Sequence, residues 1–139
     1  MEITANSVQT VATGQNILYT DTVVAGNQCI LHREGSGIVK LRGLTNQCRA
    51  RFKITFNGNI AIPTSGTVVA ISAAIAISGE PVAATNMIVT PAAGENYFNI
   101  VSVTFVDVPS GCCTDISVKN TSTQNILVQN ANLIIERVA

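Results

Sequence analysis

The sequence has little charge and few of the residues that carry out acid–base or metal chemistry. Charged residues make up 12% of the 139 residues, eight basic side chains balance eight acidic ones, and there is one histidine and no tryptophan. Soluble domains usually carry about twice that charged fraction. We therefore expect copies of the chain or a partner to cover much of its surface. A surface made soluble by Thr, Asn, Ser and Gln is the alternative.

Catalysis needs positioned acids, bases or nucleophiles, and this chain supplies few of them. Asp107 and Asp115 could approach each other across the turn at residues 109–113, but the ordinary polarity of a turn explains them better. His32 is followed by Arg33 and Glu34. The three side chains could form an ionic cluster, but an exposed position at the end of a strand explains His32 better. No phosphate-binding glycine motif and no nucleophile elbow occurs. We predict a protein without enzyme activity or cofactor.

The cysteines are predicted to be buried, reduced thiols. Synthesis in a cytoplasm keeps thiols reduced, and a disulfide between adjacent residues would be strained. A zinc site is the weaker alternative, because there is no C-x-x-C spacing and only one histidine. The four cysteines are Cys29, Cys48, Cys112 and Cys113.

No targeting segment or membrane span is visible in the sequence. The first 28 residues contain no basic segment followed by an apolar run. The longest nearly apolar stretch, residues 68–77, is shorter than the roughly 20 residues that a membrane helix needs. We expect the protein to be made and folded in a bacterial cytoplasm, with no membrane partner.

Short apolar segments rich in β-branched residues, separated by Gly, Asn and Pro, predict an all-β protein. We expect one domain over residues 1–139, an antiparallel jelly-roll sandwich of about ten strands, in which residues 1–8 could form an anchor or arm. An immunoglobulin-like sandwich fits less well, because its tryptophan landmark is missing. Strands are predicted near 7–12, 16–24, 29–33, 37–42, 48–56, 59–63, 67–78, 84–90, 97–108, 114–119 and 125–138.

The clearest local signal lies around Asn57-Gly58, which sits between two apolar runs. This dipeptide tolerates the positive φ angles of a type I′ turn and therefore predicts a tight hairpin. Upstream of it the side chains alternate. One side is expected to face the core, with Cys48, Ala50, Phe52, Ile54 and Phe56. The other side carries a basic stripe of Arg49, Arg51 and Lys53.

The basic stripe belongs to a strongly basic part of a neutral chain. Residues 29–57 hold six basic residues and one acidic residue, whereas the remainder holds two basic and seven acidic. Such a stripe could dock on an acidic partner, an anionic glycan or nucleic acid, or could simply be solvated. The aromatic residues of the same strand lie on its opposite face, which argues against nucleic acid. A solvated strand face is the plain interpretation, and contact with an acidic face of a neighbouring copy is the most useful hypothesis, because it would make a neutral protein self-complementary.

Two uncharged strand faces are the predicted subunit contacts. Residues 67–78 present one large apolar face and one face of small residues, and both look covered. The C-terminal strand adds a face of uncharged amides, which can form hydrogen bonds across a symmetric contact. Burial of both strands within a single chain is the alternative. The predicted trimer-interface residues are Val68, Ala70, Ser72, Ala74, Ala76, Val128, Asn130 and Asn132.

Several segments resemble one family of phage proteins. The tail Val108-Pro-Ser-Gly-Cys-Cys-Thr-Asp-Ile-Ser-Val-Lys-Asn-Thr-Ser-Thr123, with Val128-Gln-Asn-Ala-Asn-Leu-Ile-Ile-Glu-Arg137, carries the resemblance. The stretch from Asn57-Gly58 to Gly79-Glu80-Pro81 adds to it. The chain resembles, over roughly residues 50–139, small proteins encoded in phages and prophages of Clostridia-like bacteria. Residues 1–49 carry no such resemblance.

The resemblance implies a fold, an assembly and a location. Proteins of this family are similar to tumour-necrosis-factor-like jelly rolls, which commonly form trimers. They serve as virion surface components such as capsid decoration proteins, head fibres or fibre tips. The expected partners are two further copies of the chain and the major capsid protein or another virion component, with a receptor- or glycan-binding fibre knob as the alternative. A bacterial spore or surface protein of the same fold is a further alternative. The chain lacks the long stalk of many fibre proteins, which favours a compact knob.

Overall fold

The computed structural model describes residues 1–43, 49–111 and 113–139 and arranges them in two antiparallel sheets of six strands each. The first sheet has the order β10-β6-β12-β1-β3, with β2 also paired to β12. The second has the order β4-β5-β11-β7-β8, with β9 also paired to β7. The strands are β1 (Glu2–Ala5), β2 (Gln9–Val11), β3 (Asp21–Val24), β4 (Ile30–His32), β5 (Val39–Arg42), β6 (Arg49–Ala61), β7 (Ile71–Ile77), β8 (Glu80–Pro81), β9 (Met87–Val89), β10 (Phe98–Pro109), β11 (Cys113–Asn120) and β12 (Ile126–Arg137).

A hydrophobic core fills the space between the two sheets. In β6 every second side chain is buried, as the sequence alternation predicts. Phe52 and Phe56 are completely buried, and burial of each such side chain stabilises the fold by roughly 1.5–3 kcal/mol. The facing sheet supplies apolar side chains from β5, β7 and β11 to the same cluster, including Leu41, Ile75 and Val118. The two sheets therefore hold each other through one shared core.

The predicted hairpin at Asn57-Gly58 is wrong. Strand β6 runs without interruption through both residues, because it is paired with β10 on one side and β12 on the other. Gly58 does not adopt the positive φ that a type I′ turn requires. Instead, Gly58 allows β12 to come close: a Cβ at this position would lie 3.1 Å from Cζ of Phe56 and 3.4 Å from Cα of Ala131. The glycine is a packing requirement rather than a turn signal.

Gly58→Val is expected to destabilise the protein by roughly 1–3 kcal/mol, because the new side chain would overpack against the buried Phe56 ring. Chemical denaturation of the variant and the unmodified protein measures the difference. Thr55→Val is the control for a valine introduced into β6, because Thr55 lies on the other side of the strand from the buried Phe56 ring. Equal midpoints for Gly58→Val and the unmodified protein would contradict the close approach of β12.

A bulge in β12 changes which of its side chains face the core. Asn130 has a φ of 55°, and the pairing with β6 shifts between Gln129 and Asn132. The extra residue breaks the two-residue period of the strand. Val128 is therefore buried on the core side, and so are Ala131 and the alternating residues that follow. This corrects the prediction that Val128 shares an outer face with Asn130 and Asn132.

The small-residue face predicted for residues 67–78 is not exposed. The strand begins only at Ile71, so Val68 and Ala70 lie before it on the surface. Ala74 and Ala76 are 1% and 0% exposed within a single chain and have no surface to offer another subunit. The alternative interpretation, a strand covered on both faces within one chain, describes β7. A subunit contact through Val68, Ala70 and the half-buried Ser72 stays a prediction.

The N-terminal residues lie inside the first sheet. Strand β1 pairs with β12 on one side and β3 on the other, and Ile3 and Ala5 are buried. Residues 2–5 therefore do not form the free anchor or arm predicted for residues 1–8. Their alternation of apolar and polar side chains is short, which is why it was not recognised as a strand.

Several other segments also differ from the sequence prediction. Residues 16–20 precede β3 and bridge to β11 through Asn16 and Lys119, with Ile17 and Tyr19 fully buried. The predicted strand at 84–90 is a 3₁₀ turn, Ala83–Thr85, followed by β9. Among the described residues, no helix is long and apolar enough to cross a lipid bilayer.

Candidate functional site

The outward side of β10 forms a surface of large apolar side chains, which we call the β10 apolar face. Val101, Val103 and Phe105 are 56%, 48% and 58% exposed, whereas Val106 and Val108 on the other side are buried. Strand β10 is an edge of the first sheet, and among the described residues its backbone pairs with β6 on one side and with no strand on the other. A long apolar edge strand is ready to pair with another chain.

The neighbours of the β10 apolar face on β6 are polar. Val101 is paired with Asn57, Val103 with Thr55 and Phe105 with Lys53. Beyond them, amide side chains join the strands: Asn57 Nδ2 donates to Asn132 Oδ1 at 3.3 Å, and Asn132 Nδ2 donates to Glu2 Oε2 at 2.7 Å. The apolar face is thus bounded by a polar rim, which is the layout of many protein–protein contacts.

Asp107 neutralises part of the predicted basic stripe. Its carboxylate accepts hydrogen bonds from Arg51 Nε at 2.8 Å and Arg51 Nη2 at 3.1 Å, and Arg49 Nη1 lies 3.4 Å away. Arg49, Arg51 and Lys53 do share one face of β6, as predicted. The hydrogen bonds from Arg51 hold the pKa of Asp107 below its usual value. Lys53, next along the face, forms no ion pair within the described residues.

The lowered pKa of Asp107 has a testable consequence. The folded pKa lies below the unfolded value, so the ion pair stabilises the fold above the unfolded pKa, and this contribution is lost as the pH falls through the folded pKa. Arg51→Met is expected to move the pKa of Asp107 back towards its ordinary value, as measured by NMR titration of the carboxyl carbon. Lys53→Met is the matched control. An unchanged Asp107 titration in Arg51→Met would contradict this pairing.

The residues considered for chemistry are not brought together. Asp107 is paired with Arg51, whereas Asp115 lies on β11 beside Lys40. His32 is bound to a backbone carbonyl rather than to an ionic cluster, and Glu34 accepts a hydrogen bond from the backbone N–H of Thr22. In the part of the chain that the structure describes, no three His, Cys, Asp or Glu residues lie close enough to hold a metal ion.

The cysteine prediction is confirmed for one residue and wrong for another. Cys29 is a buried free thiol, as expected. Cys113 is also a free thiol but is exposed, because it starts β11 beside the turn that follows β10. Cys48 and Cys112 lie outside the described residues.

Sequence analysis missed the β10 apolar face. In the sequence, Val101, Val103 and Phe105 alternate with Ser102 and Thr104, and this pattern by itself predicts that the three apolar side chains face the core. The uncharged residues 67–78 were the predicted contact instead, but the fold covers β7 on both faces. The pairing of the strands shows that β10 lies at the edge of the first sheet, whereas β7 lies between two other strands of the second sheet.

The arrangement of the two sheets is similar to that of a known animal domain. The globular domain of zebrafish complement 1qA protein aligns with a TM-score of 0.64 and 9% identity, covering 96% of this chain and 93% of that one. At this identity the likeness shows the fold alone. The protein is an all-β jelly roll of the C1q and tumour-necrosis-factor kind, which confirms the predicted fold class.

Two sugar-binding domains align less well. The C-terminal domain of EclA, a sugar-binding protein, aligns with a TM-score of 0.42 and 14% identity, covering 95% of this chain and 80% of that one. A family 35 carbohydrate binding module from Clostridium thermocellum aligns with a TM-score of 0.37 and 14% identity, covering 92% of this chain and 98% of that one. Scores this low carry no argument about ligand. No protein-family model matches the chain, and no curated protein sequence matches it.

Proposed function

We propose that this protein is a non-enzymatic structural protein that assembles with copies of itself through the β10 apolar face. The single observation that carries the proposal is the exposure of Val101, Val103 and Phe105 on a twelve-residue edge strand. Residues 98–106 of this strand contain no charged side chain, although natural edge strands usually carry charges that block pairing. An exposed apolar edge of this kind is expected to be buried against another chain, and we propose that this chain is a second copy of the protein.

The opposite edge of the same sheet supports a copy of the chain as the cover. Strand β3 exposes Val23 and Val24, and the acidic Asp21 begins the same strand. Lys53 of β6 lies beside Phe105, and its other cross-strand neighbour is Glu136 of β12, so charge contributes little to this contact. Two different apolar edges of one sheet can meet head to tail, and repetition of such a contact closes a ring when the rotation allows it.

The number of copies and the location follow from the resemblance to phage virion proteins. In the proposed assembly three chains form a compact knob on the virion surface, as a capsid decoration or head-fibre protein. A trimer placed on a three-fold position gains avidity from three weak contacts with the capsid. The chain would be made in the host cytoplasm and reach the capsid during assembly.

The genes that flank the gene of this chain, and any phage particles that its host releases, provide the test of the virion role. Mass spectrometry of purified particles is expected to find the chain in a fixed ratio to the major capsid protein, and genes for virion proteins are expected beside its own. A chain absent from washed particles, or encoded among spore-coat genes, would overturn the virion role and leave self-association to be judged separately.

A glycan-binding knob is the second candidate function. It is favoured by one observation, a cleft beside β4 lined by unpaired cationic side chains and exposed aliphatic ones.

A further inference from the structure

A cleft opens at the edge of the second sheet, away from the β10 apolar face. It is a shallow, open depression with a volume of about 410 Å³, so it would contact one side of a ligand rather than enclose it. It is formed by β4, the following turn and the start of β5. The lining residues are Leu31, His32, Arg33, Ser36, Ile38 and Lys40.

The cleft carries two cationic side chains that form no ion pair with the described part of the protein. Among the described residues, Arg33 and Lys40 have no carboxylate within ion-pair distance, in contrast to Arg49 and Arg51. No lining residue is acidic. Glu34, next to Arg33 in sequence, is held at β3 by the backbone N–H of Thr22. A ligand with a carboxylate would therefore find two unpaired cations.

The rest of the wall combines two exposed aliphatic side chains with a histidine ring that is held in place. Leu31 and Ile38 expose their aliphatic side chains, and Leu31 is the cross-strand partner of Lys40. The His32 ring donates from Nε2 to the carbonyl oxygen of Ser36 at 2.8 Å and packs edge-on against Tyr19, with ring centroids 6.2 Å apart. The wall is thus partly preorganised, which lowers the entropic cost of binding.

We infer that this cleft binds an acidic sugar residue of a surface polysaccharide, with the carboxylate on Arg33 and Lys40 and the apolar face of the ring on Leu31 and Ile38. Arginine and lysine are the usual partners of carboxylates, and an aliphatic floor suits the C–H face of a pyranose. An acidic peptide fits less well, because strand addition needs an extended edge and β4 has only three residues. This inference rests on the second candidate function, glycan binding at the same cleft, and does not depend on the proposed self-association.

Asp115 sets the strength of the site. It is the partner of Lys40 on β11, so its side chain lies on the same side of the sheet. No ion pair joins the two, and Oδ1 of Asp115 is buried without a hydrogen-bond partner. The negative charge next to Lys40 opposes the binding of an anion. Asp115→Asn is expected to tighten binding several-fold.

Titration calorimetry with short oligogalacturonates is the test, with neutral oligosaccharides of the same length and polyglutamate as competing probes. Arg33→Ala and Lys40→Ala are each expected to weaken oligogalacturonate binding at least tenfold. Arg42→Ala, on the same face of β5 but outside the cleft, is the matched control and should change binding less than twofold. The native mass of every variant should equal that of the unmodified protein.

Two results would overturn the inference. The first is no oligogalacturonate binding at millimolar concentration, or binding that Arg42→Ala weakens as much as Lys40→Ala. The second is equal binding of polyglutamate and oligogalacturonate, which would show attraction to any polyanion. Because the cleft and the β10 apolar face lie on different sheets, loss of oligogalacturonate binding with an unchanged native mass separates this inference from the proposed assembly.

Discussion

Phe105→Asp is expected to convert the assembled protein into single chains. Phe105 is the most exposed of the three side chains on the β10 apolar face, and its burial in a contact would contribute roughly 1.5–3 kcal/mol for each copy. An aspartate would remove this contribution and place a carboxylate beside Lys53 in the middle of the contact, where the carboxylate would lose its hydration on burial. Light scattering of the purified variant is expected to give a mass near the 14.6 kDa of one chain.

Ile88→Asp is the matched control for this substitution. Ile88 lies on β9 of the second sheet and is as exposed as Phe105, so it tests the same chemical change away from the proposed contact. We expect this variant to keep the native mass of the unmodified protein. An assembled Phe105→Asp protein, or an Ile88→Asp protein reduced to single chains, would contradict the assignment of the contact to β10.

Asn120→Ala is expected to destabilise the fold by about 3 kcal/mol. The side chain is buried, and its Nδ2 donates to the carbonyl oxygens of Val11 at 2.9 Å and Gln124 at 2.8 Å. Its Oδ1 accepts from the backbone N–H of Ser122 at 2.8 Å. Alanine leaves three backbone groups without their partner, and each buried unpaired group costs about 1–3 kcal/mol.

Thermal unfolding measures this loss, and the expected decrease in Tm is on the order of 10 °C. Asn125→Ala is the control, because Asn125 is exposed in the same connection between β11 and β12. Both variants are compared with the unmodified protein at one concentration, since assembly also raises Tm. A Tm for Asn120→Ala within 2 °C of the control would contradict the role of this side chain in joining β2, β11 and β12.

The sequence predicts the fold class well because alternation is a local property. The two-residue period of Arg49 to Phe56 correctly predicts which side of β6 is buried. Turn signals are weaker evidence: the Asn57-Gly58 pair lies within a central strand, because neighbouring strands on both sides hold it extended. Whether Gly58 forms a turn or allows a neighbouring strand to come close depends on β10 and β12, which are distant from it in sequence.

The candidate contact surface could not be located from the sequence for a similar reason. The bulge at Asn130 changes which side chains of β12 face the core, and the local sequence contains no pattern that predicts this bulge. Strands β7 and β10 both carry several large apolar side chains, yet β10 exposes three of them at a sheet edge whereas β7 is covered on both faces. The position of a strand within its sheet decides which of its side chains are exposed, and the sequence of that strand alone does not reveal this position.

The native mass of the unmodified protein, measured by light scattering over a hundredfold range of concentration, tests the central claim most directly. We predict a mass about three times the 14.6 kDa of the chain, independent of concentration over most of that range. A mass of one chain at every concentration would contradict self-assembly through the β10 apolar face and would assign that face to a different partner.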